Sequence, residues 1–234
     1  MATGLLVTLA FAVLARTLRG VNTSGALAGA AVCFLLYASA GARAFIVLVA
    51  VFVLTWAATR IGYRRKQVLG TAERREGRSA SQILANLSVA TVCAVLYRTY
   101  SAAGPRRALF LLAMASALGE AAADTVSSEL GQTLSAKARL ITSWEVVPAG
   151  MDGGVSLAGT LAGLAAATVI SAVCAVTGLL TLPQGALAVL AAMIGVVADS
   201  FLGAGLERRG MLTNDTVNLL GTLTAAGVAW LLGK

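Results

Sequence analysis

Histidine is missing from all 234 residues, and that absence is the sharpest constraint the chain offers. Without imidazole there is no histidine general base, no Ser–His or Cys–His pair, no phosphohistidine intermediate and little scope for a transition-metal site. Cysteine is scarce, and Cys33, Cys93 and Cys174 each sit inside an apolar run, as small core residues do; they do not resemble a disulfide or metal set. Charge is scarce too, at 12% of residues, about half the usual share of a soluble domain. No Walker A loop, dinucleotide-binding fingerprint, zinc spacing, heptad pattern or convincing internal repeat is present. Any chemistry must run on carboxylates, hydroxyls, amides, Lys/Arg and hard cations.

What the chain has in quantity is apolar length. It is 58% hydrophobic, its mean hydropathy is +0.85, and its 25 glycines sit among Ala-rich runs suited to close helix packing in lipid. The expected fold is an all-α, polytopic transmembrane bundle of about six to eight spans, some short or broken, forming one integral membrane domain over residues 1–234. Apolar segments fall near 3–18, 24–40, 44–59, 82–100, 107–123, 155–178, 184–205 and 217–233, several shorter than the roughly 20 residues of an upright span. The first segment lacks a charged leader region and a cleavage site, so it reads as a retained span.

The net charge of +8 has a simple home. Arg60, Arg64, Arg65, Lys66, Arg74, Arg75 and Arg78 lie in one polar loop, residues 60–81, which reads as cytoplasmic and headgroup-facing; nucleic acid is not an expected partner. Eight spans then place most of the basic residues, Arg16, Arg19, Lys137, Arg139, Arg208 and Arg209 included, on the cytoplasmic side. Arg43, Arg98, Arg106, Arg107 and Lys234 fall on the other. The same threading brings every polar motif to the cytoplasmic ends of the spans. That favours a one-sided reaction centre over a transport path, which would leave polar groups at several depths.

Those motifs carry acids at a depth where an ionised carboxylate costs roughly 2.5–3.5 kcal/mol. In ADTVSSELG (residues 123–131), helical spacing lines up Glu120, Asp124, Ser127 or Ser128 and Gly131 on one stripe, while Glu129 lies about 140° around a straight helix from Asp124. The two acids share a site only if the helix breaks or another element intervenes. Asp152, Gly153, Gly154 and Ser156 in MDGGVSLAGT read as a loop opening a helix, with Ser156 as cap and free N–H groups available to phosphate. Asp199 is flanked by Gly195, Gly203 and Gly205; Asp215 and Asn218 share one face at the last span, with Asn214 a candidate N-cap; Gln82 and Asn86 add amides. Arg78, Lys137 and Arg139 are the nearest cations for phosphate. Paired carboxylates, a glycine-rich anion cradle and adjacent cations are the parts needed for metal-assisted phosphoryl or nucleotidyl transfer.

The runs GRSASQILANLSVA (77–90), ADTVSSELG, RLITSWEVVPAGMDGGVSLAGT (139–160), ADSFLGAGLERRG (198–210) and NDTVNLLGT (214–222) resemble an integral membrane family that includes transmembrane protein 19 and plant phytyl-phosphate kinase. The resemblance covers most of the chain from about residue 20. More loosely, the acidic and Gly-Gly-Ser elements are similar to those of phytol and dolichol kinases and phosphatidate cytidylyltransferases, which use CTP. The resemblance implies phosphoryl transfer from a nucleoside triphosphate, CTP favoured, to a prenyl monophosphate such as phytyl or geranylgeranyl phosphate, with Mg²⁺ as cofactor. It makes Asp124, Glu129, Asp152 and Asp199 candidate metal ligands, with Asp124, Glu129 and Asp199 catalytic. Arg78, Asn86, Ser128, Lys137, Arg139, Gly153, Gly154, Ser156, Asp215 and Asn218 become candidate nucleotide and phosphate contacts. Glu120 departs from the family pattern, which tends to be apolar there. A prokaryotic cell membrane is the expected location, and Gly/Ala faces are compatible with a homodimer. A CDP-lipid-forming cytidylyltransferase and a small transporter remain as alternatives.

Overall fold

The computed structural model describes residues 2–100 and 106–234. Its elements are α1 (Ala2–Thr17), α2 (Thr23–Arg60), α3 (Tyr63–Leu69), α4 (Ala80–Thr99), α5 (Arg107–Leu134), β1 (Lys137–Leu140), β2 (Val146–Pro148), β3 (Gly154–Val155), α6 (Leu157–Val176), α7 (Leu182–Leu202) and α8 (Asn214–Leu232). Six of the helices are long and apolar enough to cross a membrane, and α1 is a shorter apolar helix. The fold is the all-α polytopic bundle that the hydropathy implies.

At 38 residues α2 would run about 57 Å if straight. Its two ends nevertheless meet at one place. Thr23 lies against Arg16, while Arg60 Nη2 and Trp56 Nε1 both donate to the Leu18 carbonyl, at 2.6 and 3.2 Å. The helix reverses at Gly41 (φ 80°, ψ −175°), backbone that is essentially closed to residues with a Cβ. Segments 24–40 and 44–59 are therefore two antiparallel helices hinged on one residue. Asn22 starts the hairpin by accepting from Gly25 N–H, and Ser79 with Gln82 forms a capping box on α4.

Helix α5 is the axis of the bundle. Its apolar stretch is 83% buried, against 28–39% for the other five long helices, and it packs on α2, α4, α6, α7 and α8. Small residues permit this: Ala113, Ala115, Ala117, Ala121, Ala122 and Ala123 are all buried. The Gly41 reversal gathers at one end with Arg43, which reaches the Gly178 carbonyl, and Arg98, which donates to Ala38. At the other end lie the α1–α2 and α3–α4 connections and the polar segment after α5.

Two local features differ from the all-helical expectation. Residues 137–155 form a three-stranded antiparallel sheet in the order β2-β1-β3, with Ala138 opposite Val147 and Arg139 opposite Val155. Helix α7 continues as a π-helical stretch, Gly203–Glu207. The loop 60–81 also carries α3, and the N-cap of α8 is Thr213, which accepts from Thr216 N–H; Asn214 is already helical.

Candidate functional site

Two chambers flank α5 at the end opposite the Gly41 reversal. The first is a polar cleft of about 340 Å³ lined by Asp124, Ser127 and Ser128 of α5, Asp152 to Ser156, Asp199 and Ser200 of α7, Glu207, and Asn214 and Asn218 of α8. The second is an apolar cavity of about 460 Å³ between α1, the α2 hairpin and α4.

The cleft assembles because each contributing element ends or bends there. At Gly153 (φ 72°) a Cβ would lie 2.5 Å from Ala204 N, so only glycine lets the loop before β3 approach the π-helical stretch. Ser156 caps α6 by accepting from Gly159 N–H at 3.1 Å, and the start of α6 faces the cleft through Ser156, Gly159 and Thr160. Behind Asp199 lies Glu120, 1% exposed, whose Cγ packs on Gly195 and whose Oε1 sits against Gly221. Glu120 Oε1 and Asp199 Oδ2 are buried with no hydrogen-bond partner. Among the described residues the single side-chain ion pair is Lys66–Glu129, so none of Asp124, Asp152, Asp199 and Glu207 is in an ion pair, and the cation close enough to act on Asp124 is Arg78. Such an acid-lined cleft calls for a cation from outside the chain.

Of the residues singled out in the sequence, the cleft collects Asp124, Ser128, Asp152, Gly153, Gly154, Ser156, Asp199 and Asn218. Others lie elsewhere. Glu129 faces away because α5 runs unbroken to Leu134; its Oε2 takes a 2.5 Å bond from Lys66 Nζ, which also donates to the Ala58 and Thr59 carbonyls. Lys66, expected among solvated headgroup contacts, is completely buried, and Glu129 is its counter-ion and not a cleft acid. Lys137 and Arg139 are exposed on β1 while their neighbour Ala138 lines the cleft, so strand alternation turns both away; Arg139 donates to the Trp144 carbonyl. Asp215 does not line the cleft although Asn214 and Asn218 do. Gly154 N–H is taken by Met151 O, which removes it from a phosphate cradle.

Arg78 and Asn86 line the apolar cavity instead. Asn86 donates to Gln82 O, and Arg78 Nη2 lies 3.4 Å from Thr125 Oγ1, the residue next to Asp124. Sequence reasoning missed Glu207, Thr71 and Gln132 as cleft residues. Glu207 follows Ser200 and Gly203 at helical spacing and closes the cleft from the π-helical stretch. No three described His, Cys, Asp or Glu residues converge closely enough to hold a metal ion unaided, so a ready-made cage of Asp124, Glu129, Asp152 and Asp199 does not form. The donor set still fits Mg²⁺, which commonly takes one or two carboxylates and completes its shell with phosphate oxygens and water.

Comparison with known proteins places this geometry in context. A family model described as integral membrane protein DUF92 matches residues 6–226. The chain is 34% identical over 219 residues to Protein VTE6, chloroplastic, of Arabidopsis thaliana, covering 91% of this chain and 65% of that protein. It therefore spans less than two thirds of that relative's length. It is 33% identical over 199 residues to an uncharacterized membrane protein of Synechocystis sp., covering 83% and 76% of the two chains. It is 30% identical over 236 residues to an uncharacterized membrane protein of Methanocaldococcus jannaschii, covering 97% and 92%. No solved structure matches the chain.

Proposed function

The chain belongs to the DUF92 family of integral membrane proteins, and from that premise we propose that it is a prenyl-phosphate kinase. It would transfer the γ-phosphoryl group of a nucleoside triphosphate, CTP favoured, to a prenyl monophosphate such as phytyl or geranylgeranyl phosphate. The observation that carries this reading is the cleft of four acids, none in an ion pair, beside a cavity whose mouth is lined by arginines. Similarity to the plant relative VTE6 and the resemblance to phytyl-phosphate kinases support the same class of reaction.

The triphosphate would enter the cleft beside the start of α6, where the first-turn N–H groups favour an anion and Ser128 and Asn218 offer polar contacts. Asp124 and Asp199 would hold Mg²⁺ from facing helices, with Asp152 and Glu207 at the rim. Mg²⁺ bound with the nucleotide supplies charge neutralisation at the β- and γ-phosphates. An oxygen of the acceptor phosphate, already anionic near neutral pH, forms the new bond to the γ-phosphorus. The bond to the β–γ bridging oxygen breaks, and the nucleoside diphosphate leaves with that electron pair. Arg78, held beside Thr125 and near enough to act on Asp124, would steady the acceptor phosphate where the two chambers approach each other. The basic end of the bundle would face the cytoplasm, where nucleotide is available.

The test is purified protein with geranylgeranyl monophosphate, Mg²⁺ and each labelled nucleoside triphosphate in turn. Label moving from the γ position into lipid diphosphate, reduced at least about 100-fold by Asp124→Asn, is the expected result. Label entering lipid from the α position would replace the kinase with a cytidylyltransferase. No transfer from any donor would overturn the proposal.

A further inference from the structure

We infer that the apolar cavity between α1, the α2 hairpin and α4 is the acceptor site, and that its occupant is a single-chain prenyl monophosphate. This assignment rests on the kinase reading but makes a separate claim about place and capacity. The wall is hydrocarbon: Phe11, Cys33, Val51, Phe52 and Leu87 line it, with Ala121 of α5 at the back. The mouth is cationic, with Arg19, Arg60, Arg64, Arg74, Arg75 and Arg78 against Glu73 as the sole acid. Arg60 is engaged with the Leu18 carbonyl and the Trp56 ring, and Arg78 with Thr125; none of the six forms an ion pair among the described residues. An apolar chamber under unmatched arginines suits one hydrocarbon tail bearing one phosphate. At about 460 Å³ it has the size of a small-molecule site and no room for the paired chains of a glycerophospholipid.

The mouth is also fixed in place. Asn22 N–H donates to the Arg78 carbonyl at 3.0 Å, Arg78 N–H donates to Gly20 O at 3.1 Å, and a Cβ at Gly77 would come within 2.6 Å of Val21 N. This strap joins the α1–α2 turn to the segment before α4 and holds Arg19 and Arg78 at one opening. Arg78 then reaches α5 beside Asp124, so a phosphate held by Arg78 lies next to the acidic cleft. Deeper in, Gly29 lines the cavity with nothing within 4 Å of where its Cβ would stand. That position sets how much tail fits.

The experiment measures binding without nucleotide or Mg²⁺, so it stands apart from turnover. Trp56 lines the cavity and reports through fluorescence in a Trp144→Phe/Trp230→Phe background. Geranylgeranyl monophosphate should saturate the signal. Geranylgeraniol should bind at least about tenfold more weakly, and neither inorganic phosphate nor phosphatidate should compete. Gly29→Leu should weaken geranylgeranyl phosphate by about tenfold or more, the factor for roughly two displaced methylenes, while sparing the shorter geranyl phosphate and nucleotide binding. Arg74→Gln/Arg75→Gln, both on the exposed rim, should weaken the phosphate but not the alcohol, and carries the test alone if Gly29→Leu fails to fold. Equal competition by inorganic phosphate would make this a phosphate site only, and equal binding of phosphatidate a structural lipid site; either overturns the assignment. Unchanged binding in a folded Gly29→Leu variant does so too. Saturable binding without transfer from any nucleotide would sink the kinase and leave this site standing. Transfer that persists unchanged in Gly29→Leu would do the reverse.

Discussion

Replacing Lys66 by Met keeps the aliphatic stem and deletes the ammonium shared by Glu129 and the Ala58 and Thr59 carbonyls. Stranding one partner of a buried pair costs about 3–5 kcal/mol. The Glu129 side chain keeps 13% exposure and can rehydrate in part, which places the expected loss near the lower end, about 3 kcal/mol. For a chain of this size that corresponds to roughly 6–12 °C in unfolding midpoint. In Lys66→Met/Glu129→Leu no charge is left behind, and what remains lost is two hydrogen bonds to carbonyls, each worth about 1 kcal/mol. Glu129→Leu alone strands a completely buried ammonium and should cost at least about 3 kcal/mol, so the double variant, at about 2 kcal/mol, should lose less than the sum of the single losses by about 4 kcal/mol. Thermal unfolding in detergent gives the cycle, and phosphoryl transfer by the folded fraction gives its functional arm. Additive losses would refute the structural role. So would a Glu129→Gln variant that unfolds like the parent yet loses turnover, which would restore Glu129 as a reacting acid.

The remaining predictions concern backbone and buried charge. Gly41→Ala meets no neighbour but must adopt backbone reserved for glycine, so it should lower stability by about 1–3 kcal/mol in thermal unfolding without changing nucleotide affinity. Gly153→Val adds a clash with Ala204 to an unfavourable φ, so equilibrium binding should show at least about a tenfold loss of nucleotide affinity. Glu120→Gln keeps the shape of a buried side chain and removes a carboxylate oxygen that has no partner. It should leave the unliganded protein as stable or more so, and raise the Mg²⁺ concentration needed for half-maximal transfer.

Apolar periodicity made the helices legible, including the break near residue 41, where a glycine among small residues separates two runs each too short for a long span. The sides of the bundle were legible because charge and polarity segregate along the chain. Glu129 was not. Helical spacing placed it off the Asp124 face, but nothing local points to Lys66, which is 63 positions earlier. The sheet over residues 137–155 escaped notice because its strands are two to four residues long and mix charge with apolar side chains. Glu207 lies at helical spacing from Ser200 and Gly203 and so shared the Asp199 face all along, but the basic pair that follows it draws attention to solvent. Arg78 and Asn86, expected among the phosphate contacts, line the apolar cavity instead, because their placement depends on which side of α5 their segment packs, a tertiary fact.

Helix α5 divides the linings of the two chambers, which approach each other where Arg78 nears Asp124. Apart from Ala121, the apolar cavity draws on residues 11–87, and apart from Thr71 the acidic cleft draws on residues 124–218. On the proposed assignment, tail preference and donor preference would be written in different stretches of the same chain. A lineage could retailor the hairpin to a longer or shorter lipid while the donor side is inherited intact, and grafting the first ninety or so residues of one relative onto the remainder of another should exchange the lipid and keep the nucleotide.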